Sequence, residues 1–316
     1  MPNTLTPEEV RAKFGPMFCK GLYTIVDEKN NVAKVIETCS ARGPVEWDVV
    51  NRKRTGGIIT DIVLDGHTVI MDTVVGKKEL KFGPASADIG GQGIESLEVK
   101  GDEVHTVWRG IAGAGVGVGA CLPQADGVIR TVYPDDFKMG GAYIASTEIV
   151  TPKMVRVIIG VDDTDTPQKG ASWVASLKMG MSCPHGKFLE HKIIQLNPKA
   201  PNKTTNCCST AVSFAVLPSK VDELVEYCKE FIAKESYSDD TVMTVFKGLK
   251  QPQALVNWSW NAKSILYTPE EAIKIAEEND VEIHYITGKK GVIGAVAAIG
   301  CFDLGVKSAG VPEDFE

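Results

Sequence analysis

Apolar positions keep one rhythm in the first half of the chain and another in the second. From Gly21 to about Val132 they come in short runs split by turn residues, the pattern of half-buried strands. GLYTIVDEKNNVAKVIETC sets the turn DEKNN between two such runs. GIITDIVLDGHTVIMDTVV repeats the device at Asp65–Gly66, and IESLEVKGDEVHTVWRGI at Lys100–Gly101. Before them, residues 4–13 predict a short helix, with Thr6 as cap, Pro7 in its first turn and Glu9 three residues after the cap. This half reads as an antiparallel, hairpin-built domain over residues 1–150.

The rhythm changes after residue 150. MVRVIIGV is a continuous β-branched run, expected of a strand covered on both faces. GASWVASLKMG predicts a helix and KFLEHKIIQLNP a strand, while CCSTAVSFAVLP fits either on periodicity alone. In SKVDELVEYCKEFIAKES, Val221, Leu224, Val225, Cys228, Phe231 and Ile232 share one helical face, with Ser219 as the expected cap. DDTVMTVFKGL predicts a strand. TPEEAIKIAEEND predicts a helix capped by Thr268, and VIGAVAAIG another helix-like segment. The fold class expected is mixed α/β or α+β: a β-rich N-terminal domain, then an α/β domain over 151–316.

Composition narrows the picture. With 34 basic and 41 acidic residues the net charge is −7, so no large electrostatic footprint on nucleic acid is expected. No apolar stretch reaches 18 residues, and NTLTPEEV reads as a capped helix rather than a leader. The eight cysteines include no CxxC pair, and reduced cytoplasmic thiols are expected. Cys183, His185 and His191 with Cys207 and Cys208 are thin support for zinc, and buried thiols are the plainer reading.

Four segments could carry chemistry. VIIGVDDTD puts Asp162, Asp163 and Asp165 at the end of a buried strand, where three like charges need a cation, as Mg²⁺ would be, or a helix N-terminus. Thr164 and Thr166 add hydroxyls. The plainer alternative is an acidic turn with an Asx cap. GKKGVIG sets Lys289 and Lys290 between glycines, with Gly291 and Gly294 opening a helix onto which a phosphate could bind. Joined to DDTD, it supplies the second half of a nucleotide-phosphate site. LNPKAPNKTTNCC offers Asn197, Asn202, Lys203, Thr204 and Asn206 from a constrained loop, or a surface crossover. GIAGAGVGVGAC, with Gly113, Gly115 and Gly117, lacks the setting of a dinucleotide fingerprint. It reads as a close-packed glycine strand or loop facing an acceptor cleft.

IIGVDDTD, QLNPKAPNKTTN and GVIGAVAAIG occur in the same order as in the ATP-dependent kinase module of the archaeal tRNA-isoleucine agmatinylcytidine synthetases, which residues 155–305 resemble. The whole chain, with IVDEKNNV and GAGVGVG, resembles methanogenesis marker protein 11. The first resemblance implies ATP and Mg²⁺, with Asp162, Asp163 and Asp165 as ligands. It sets Gly170 and Ser172 where the synthetases carry a GxCT segment, and Thr205 where they carry an arginine. The synthetases' RNA-binding and zinc-ribbon parts have no counterpart here, so nucleic acid is not the expected partner. The expectation is an ATP/Mg²⁺-dependent phosphoryl- or adenylyl-transfer enzyme in the cytoplasm of an archaeon, acting on a small-molecule or protein acceptor. The marker resemblance implies a role in methanogenesis, with methyl-coenzyme M reductase as a partner. The alternative is a non-catalytic nucleotide-binding assembly factor, and an oligonucleotide-modifying enzyme ranks below both.

Overall fold

The computed structural model describes residues 3–82, 86–201 and 203–313. The chain divides into two compact units, Met1–Met154 and Val155–Glu316.

In the first unit the three hairpins form where the turn residues allow. Cys19–Asp27 pairs with Val32–Cys39, Ile59–Asp65 with Thr68–Val74, and Gly91–Lys100 with Glu103–Ile111, each antiparallel. Asn31, Gly66 and Gly101 take left-handed φ values of 54°, 57° and 61° in the connections. Their inward faces bury Leu22, Val35, Met71, Ile94, Leu97 and Trp108. A helix that the apolar rhythm does not reveal, Arg42–Thr55, packs on this sheet. Its covered face carries Asp48, Asn51, Arg52 and Thr55 beside Val45, so hydrophobic periodicity could not find it.

The glycine-rich segment is neither strand nor open loop. Gly113–Val116 is one helical turn that widens into a π-helical turn over Gly117–Cys121. A side chain at Gly110 would meet the Ala114 carbonyl, and one at Gly115 the Gly110 carbonyl and Ala145. The glycines let this turn lie directly on a neighbouring strand. Gly113 lies against Trp47 and Gly117 near Gln92, within their own unit. Close packing within the unit accounts for these glycines, as the close-packed reading expects.

Ile144–Asp162 is a single 19-residue strand, and the division between the units falls inside it. Its earlier residues pair with Glu103–Ile111; residues 155–162 pair with Cys208–Val216 on one side and Val242–Lys247 on the other. Lys187–Gln195 and Glu282–Tyr285 form the outer strands of the second unit's sheet. Val157, Ile159 and Val161 face the core shared with helices Ser172–Ser182 and Val221–Glu235. Ile158 faces the core containing Val292–Gly300. Both faces are covered, but residues 155–162 pair only antiparallel, because a β-branched run reports burial and not strand direction. Thr6 and Thr268 form capping boxes with Glu9 and Glu271. Ser219 does not cap the Val221–Glu235 helix, which grows instead out of a 3₁₀ turn at Pro218–Lys220.

Candidate active site

Asp162 ends the central strand, and the following residues fold back through side-chain hydrogen bonds. Asp163 sits at φ 55°, a left-handed conformation that Asp and Asn tolerate best among residues with a Cβ. Its carbonyl accepts the Thr241 hydroxyl at 2.7 Å. Ser172 Oγ accepts the Thr164 amide at 3.1 Å, lies 3.0 Å from the Thr164 hydroxyl, and donates to Asp165 Oδ1 at 3.4 Å. Gly170, at φ 93°, packs on Asp165 and Tyr237. Thr164, Gly170 and Ser172, expected at the phosphates, thus brace the loop and do not line the cavity described next.

On its other side Asp162 meets the N-terminal end of the Val292–Gly300 helix. A Cβ at Gly294 would overlap Asp162 Oδ2, and one at Gly291 would crowd the Asp162 carbonyl oxygen. Burial, then the Asp163 and Asp165 charges, push the Asp162 carboxyl well above its ordinary range. Asp163 is pushed up to about 6 by burial, then by Asp165 and Asp240, while Lys290 pulls the other way. Lys290 Nζ donates to Asp240 Oδ2 at 2.6 Å.

Asp162 and Asp163 open onto a cavity of about 270 Å³, together with Asn197, Lys203, Thr204, Asn206, Lys290 and Gly294. Three separate stretches of sequence are brought to one place, because the 196–208 loop and the helix at Gly291 flank the same strand end. Lys203 is tied to the Pro198 carbonyl. Asn197 is buried, donates to the Ser264 carbonyl at 2.9 Å and so fixes the loop rather than offering itself to a ligand. Lys289 is directed elsewhere, 5.4 Å from the Tyr285 ring centroid. Asn202 lies outside the described residues.

A three-aspartate metal site is not formed. Among the described residues, the Asp162, Asp163 and Asp165 carboxylates do not gather within reach of one ion, since Asp165 is drawn to Ser172. Asp162 and Asp163 fit Mg²⁺ on different terms, because that ion commonly takes one or two carboxylates and fills its shell with waters and phosphate oxygens.

Sequence reading missed the apolar wall of the cavity, made by Ile265, Leu266, Tyr267, Pro269 and Ile293. Leu266 is 57% exposed, an apolar side chain presented at the site rather than packed away. It also missed Lys263, buried beneath the loop and donating to the carbonyls of Gln195, Ser308 and Gly310 at 2.7–2.9 Å. An ILY run bounded by a capping box carries no chemical signal of its own.

Residues 158–288 match the family described as the TiaS TCKD domain. An uncharacterized protein of Methanocaldococcus jannaschii, MJ0921, is 36% identical over 284 residues, covering 89% of this chain and 93% of that one. The chain belongs to the MJ0921 family. The tRNA-isoleucine 2-agmatinylcytidine synthetase TiaS of Thermococcus sibiricus is 32% identical over 46% of this chain, and that of Pyrococcus horikoshii 29% over 45%. The chain spans about a third of these synthetases' length, 35% in both cases. A crystal structure of TiaS in complex with an isoleucine tRNA and ATP aligns with 46% of this chain at 25% identity and a TM-score of 0.42. Of the two resemblances, the one to the synthetase module is the one these matches carry. They correct the expectation of an unidentified acceptor in methanogenesis, with methyl-coenzyme M reductase or its assembly factors as partners. The relatives with a stated reaction act on a tRNA. Setting nucleic acid aside on the acidic balance and the missing counterpart of the synthetases' RNA-binding part is corrected with it, since net charge averages over a surface and does not describe a local contact.

No described helix is long and apolar enough to cross a membrane.

Proposed function

We propose that the second unit is an ATP- and Mg²⁺-dependent transferase domain and that its acceptor is an RNA. The observation that carries this reading is the convergence of Asp162, Asp163, Lys203 and Lys290 on one cavity, the first three of them within the TiaS TCKD match. Two carboxylates with raised proton affinity and two lysines form a surface that a cation and polyphosphate together would neutralise. Asp162 and Asp163 would hold Mg²⁺, which neutralises phosphate charge when bound. Lys203 and Lys290 face the phosphates, and the positive end of the Val292–Gly300 helix dipole lies on the same side. Ile265, Leu266, Tyr267 and Ile293 give a nucleobase an apolar wall. The RNA acceptor follows the synthetases' stated substrate. At a net charge of −7, RNA binding rests on a few local contacts, so its salt dependence is shallow. A cytoplasmic setting goes with this reading, and all eight cysteines are free.

The test incubates the full chain with Mg²⁺, total tRNA and ATP labelled at either the α or the γ phosphate. The expected result is nucleotide turnover that requires RNA, with the position of the transferred label distinguishing adenylyl from phosphoryl transfer. Asp163→Asn should abolish turnover. Without nucleotide it should melt no lower than the parent chain, because neutralising one of three crowded carboxylates relieves repulsion and Asn keeps the left-handed φ. Turnover indifferent to RNA would overturn the acceptor, and full turnover by Asp163→Asn would move the site elsewhere.

A further inference from the structure

The first unit holds a cluster that the cavity in the second unit does not explain. Cys19 opens the Cys19–Asp27 strand, Cys39 closes Val32–Cys39, and the two are direct cross-strand partners. Glu37, two residues before Cys39, falls on the same face. All three are buried, at 4%, 7% and 0% exposure. The two sulfurs and a Glu37 carboxylate oxygen lie within 4.8 Å of one another. Cys121, 1% exposed, joins them from the π-helical turn, its sulfur accepting the Cys19 amide at 3.3 Å.

We propose that Cys19, Cys39 and Glu37 bind a zinc ion, with Cys121 as the fourth ligand.

The chemistry of the donors points to this ion. Two or three sulfurs with one carboxylate are too soft a set for Mg²⁺ or Ca²⁺ and suit zinc, which takes thiolate and carboxylate ligands in a closed tetrahedron. Ligand atoms across such a tetrahedron stand roughly 3.5–3.8 Å apart, given Zn–S near 2.3 Å. The separations among the Cys19 and Cys39 sulfurs and the Glu37 oxygen close by side-chain rotation, and Cys121, outside that group of three, must swing further to reach the ion. Glu37 Oε1 meets only a weak donor, the Cys39 thiol at 3.2 Å. Its other oxygen already faces the Arg52 guanidinium, so a zinc ion would take the thiol-facing side of the carboxylate.

The surroundings supply the compensating charge. Arg52, 1% exposed, sets Nη1 2.6 Å from Glu37 Oε2 and Nη2 3.7 Å from Asp48 Oδ2, and its guanidinium lies 5.1 Å from the Trp108 ring centroid. Gln92 bridges Arg52 and Asp48. A buried ion pair is weak evidence of stabilisation in itself, since an apolar set of similar volume often does as well. As the partner of a thiolate-rich centre, the arginine offsets the negative charge that three sulfurs and a carboxylate bring to one dipositive ion. Binding breaks three S–H bonds, forms three Zn–S bonds and one Zn–O bond, and releases three protons to solvent. With no open position, the centre pins the first hairpin to the glycine-rich turn and is structural rather than catalytic.

The full chain, produced without a metal-binding tag and dialysed against zinc and then against buffer, is analysed for metal content. About one zinc per folded chain is expected. Cys19→Ser and Cys39→Ser should lose it, Cys121→Ser should bind it at least tenfold more weakly, and Cys183→Ser should retain it. Cobalt in place of zinc should give a thiolate-to-metal charge-transfer band, which reads sulfur ligation in the parent chain even if a serine variant fails to fold. Metal-free folded protein after zinc dialysis would overturn the proposal. So would zinc retained by both Cys19→Ser and Cys39→Ser, or a Cys19–Cys39 disulfide in the isolated chain.

Discussion

Gly294 shows how one absent side chain sets a site. Asp162 has room for its carboxylate only because the neighbouring helix carries no Cβ there. In Gly294→Ala, helix propensity would improve by up to ~1 kcal/mol, against an overpacking cost of about 1–3 kcal/mol where neither the helix nor the strand end can withdraw. The second effect should win. A net loss of stability is expected on denaturant unfolding, together with a weakened response to Mg²⁺-ATP, because the displaced group is Asp162 itself. The crowding of Asp162 and Asp163 was half legible in the sequence: an apolar run followed by three carboxylates places them at a strand end, but an acidic turn with an Asx cap fits the same residues. What Asp165, Thr164 and Ser172 do was not legible. Their hydroxyl and carboxylate groups could serve a ligand or a loop equally well, and only the hydrogen bonds among them decide for the loop.

At the scale of elements, turn chemistry and capping boxes read directly, because both depend on neighbours a few residues apart. The Arg42–Thr55 helix did not, since its buried face is polar, and neither did strand direction in the second unit. One helix end makes a prediction of its own. Cys183 closes Ser172–Ser182, and its thiol is lowered to about 7 by a hydrogen bond from Cys228, against burial, with further help from the His185 and Gly186 amides. Lowering places the reactive thiolate within neutral pH. Alkylation at Cys183 should rise as pH increases through about 7 and level off above it. Cys207, pushed up to about 12 by burial first, should stay slow over the same range. Peptide mass spectrometry after brief iodoacetamide pulses checks both, and equal labelling of the two would remove the assignment.

At the scale of the molecule, the first unit's apolar residues form one core, while the second unit's sheet separates two others. Because the cavity proposed for the nucleotide belongs to Val155–Glu316, Mg²⁺-ATP should raise the transition of that unit alone. At a hundredfold excess over Kd the stabilisation is about 2.7 kcal/mol, or roughly 5–10 °C for a unit of this size. Calorimetry with and without nucleotide checks this, and an equal shift of every transition would contradict it. The 19-residue strand gives this arrangement its evolutionary weight. A domain joined by a linker can be lent, exchanged or lost at little cost. Here the middle strand of one sheet is the continuation of a strand in the other unit. A recombination break at that point would begin a new chain inside a sheet, with its central strand unanchored at one end. A relative that carries only one of the units must therefore begin or end that strand in its own way.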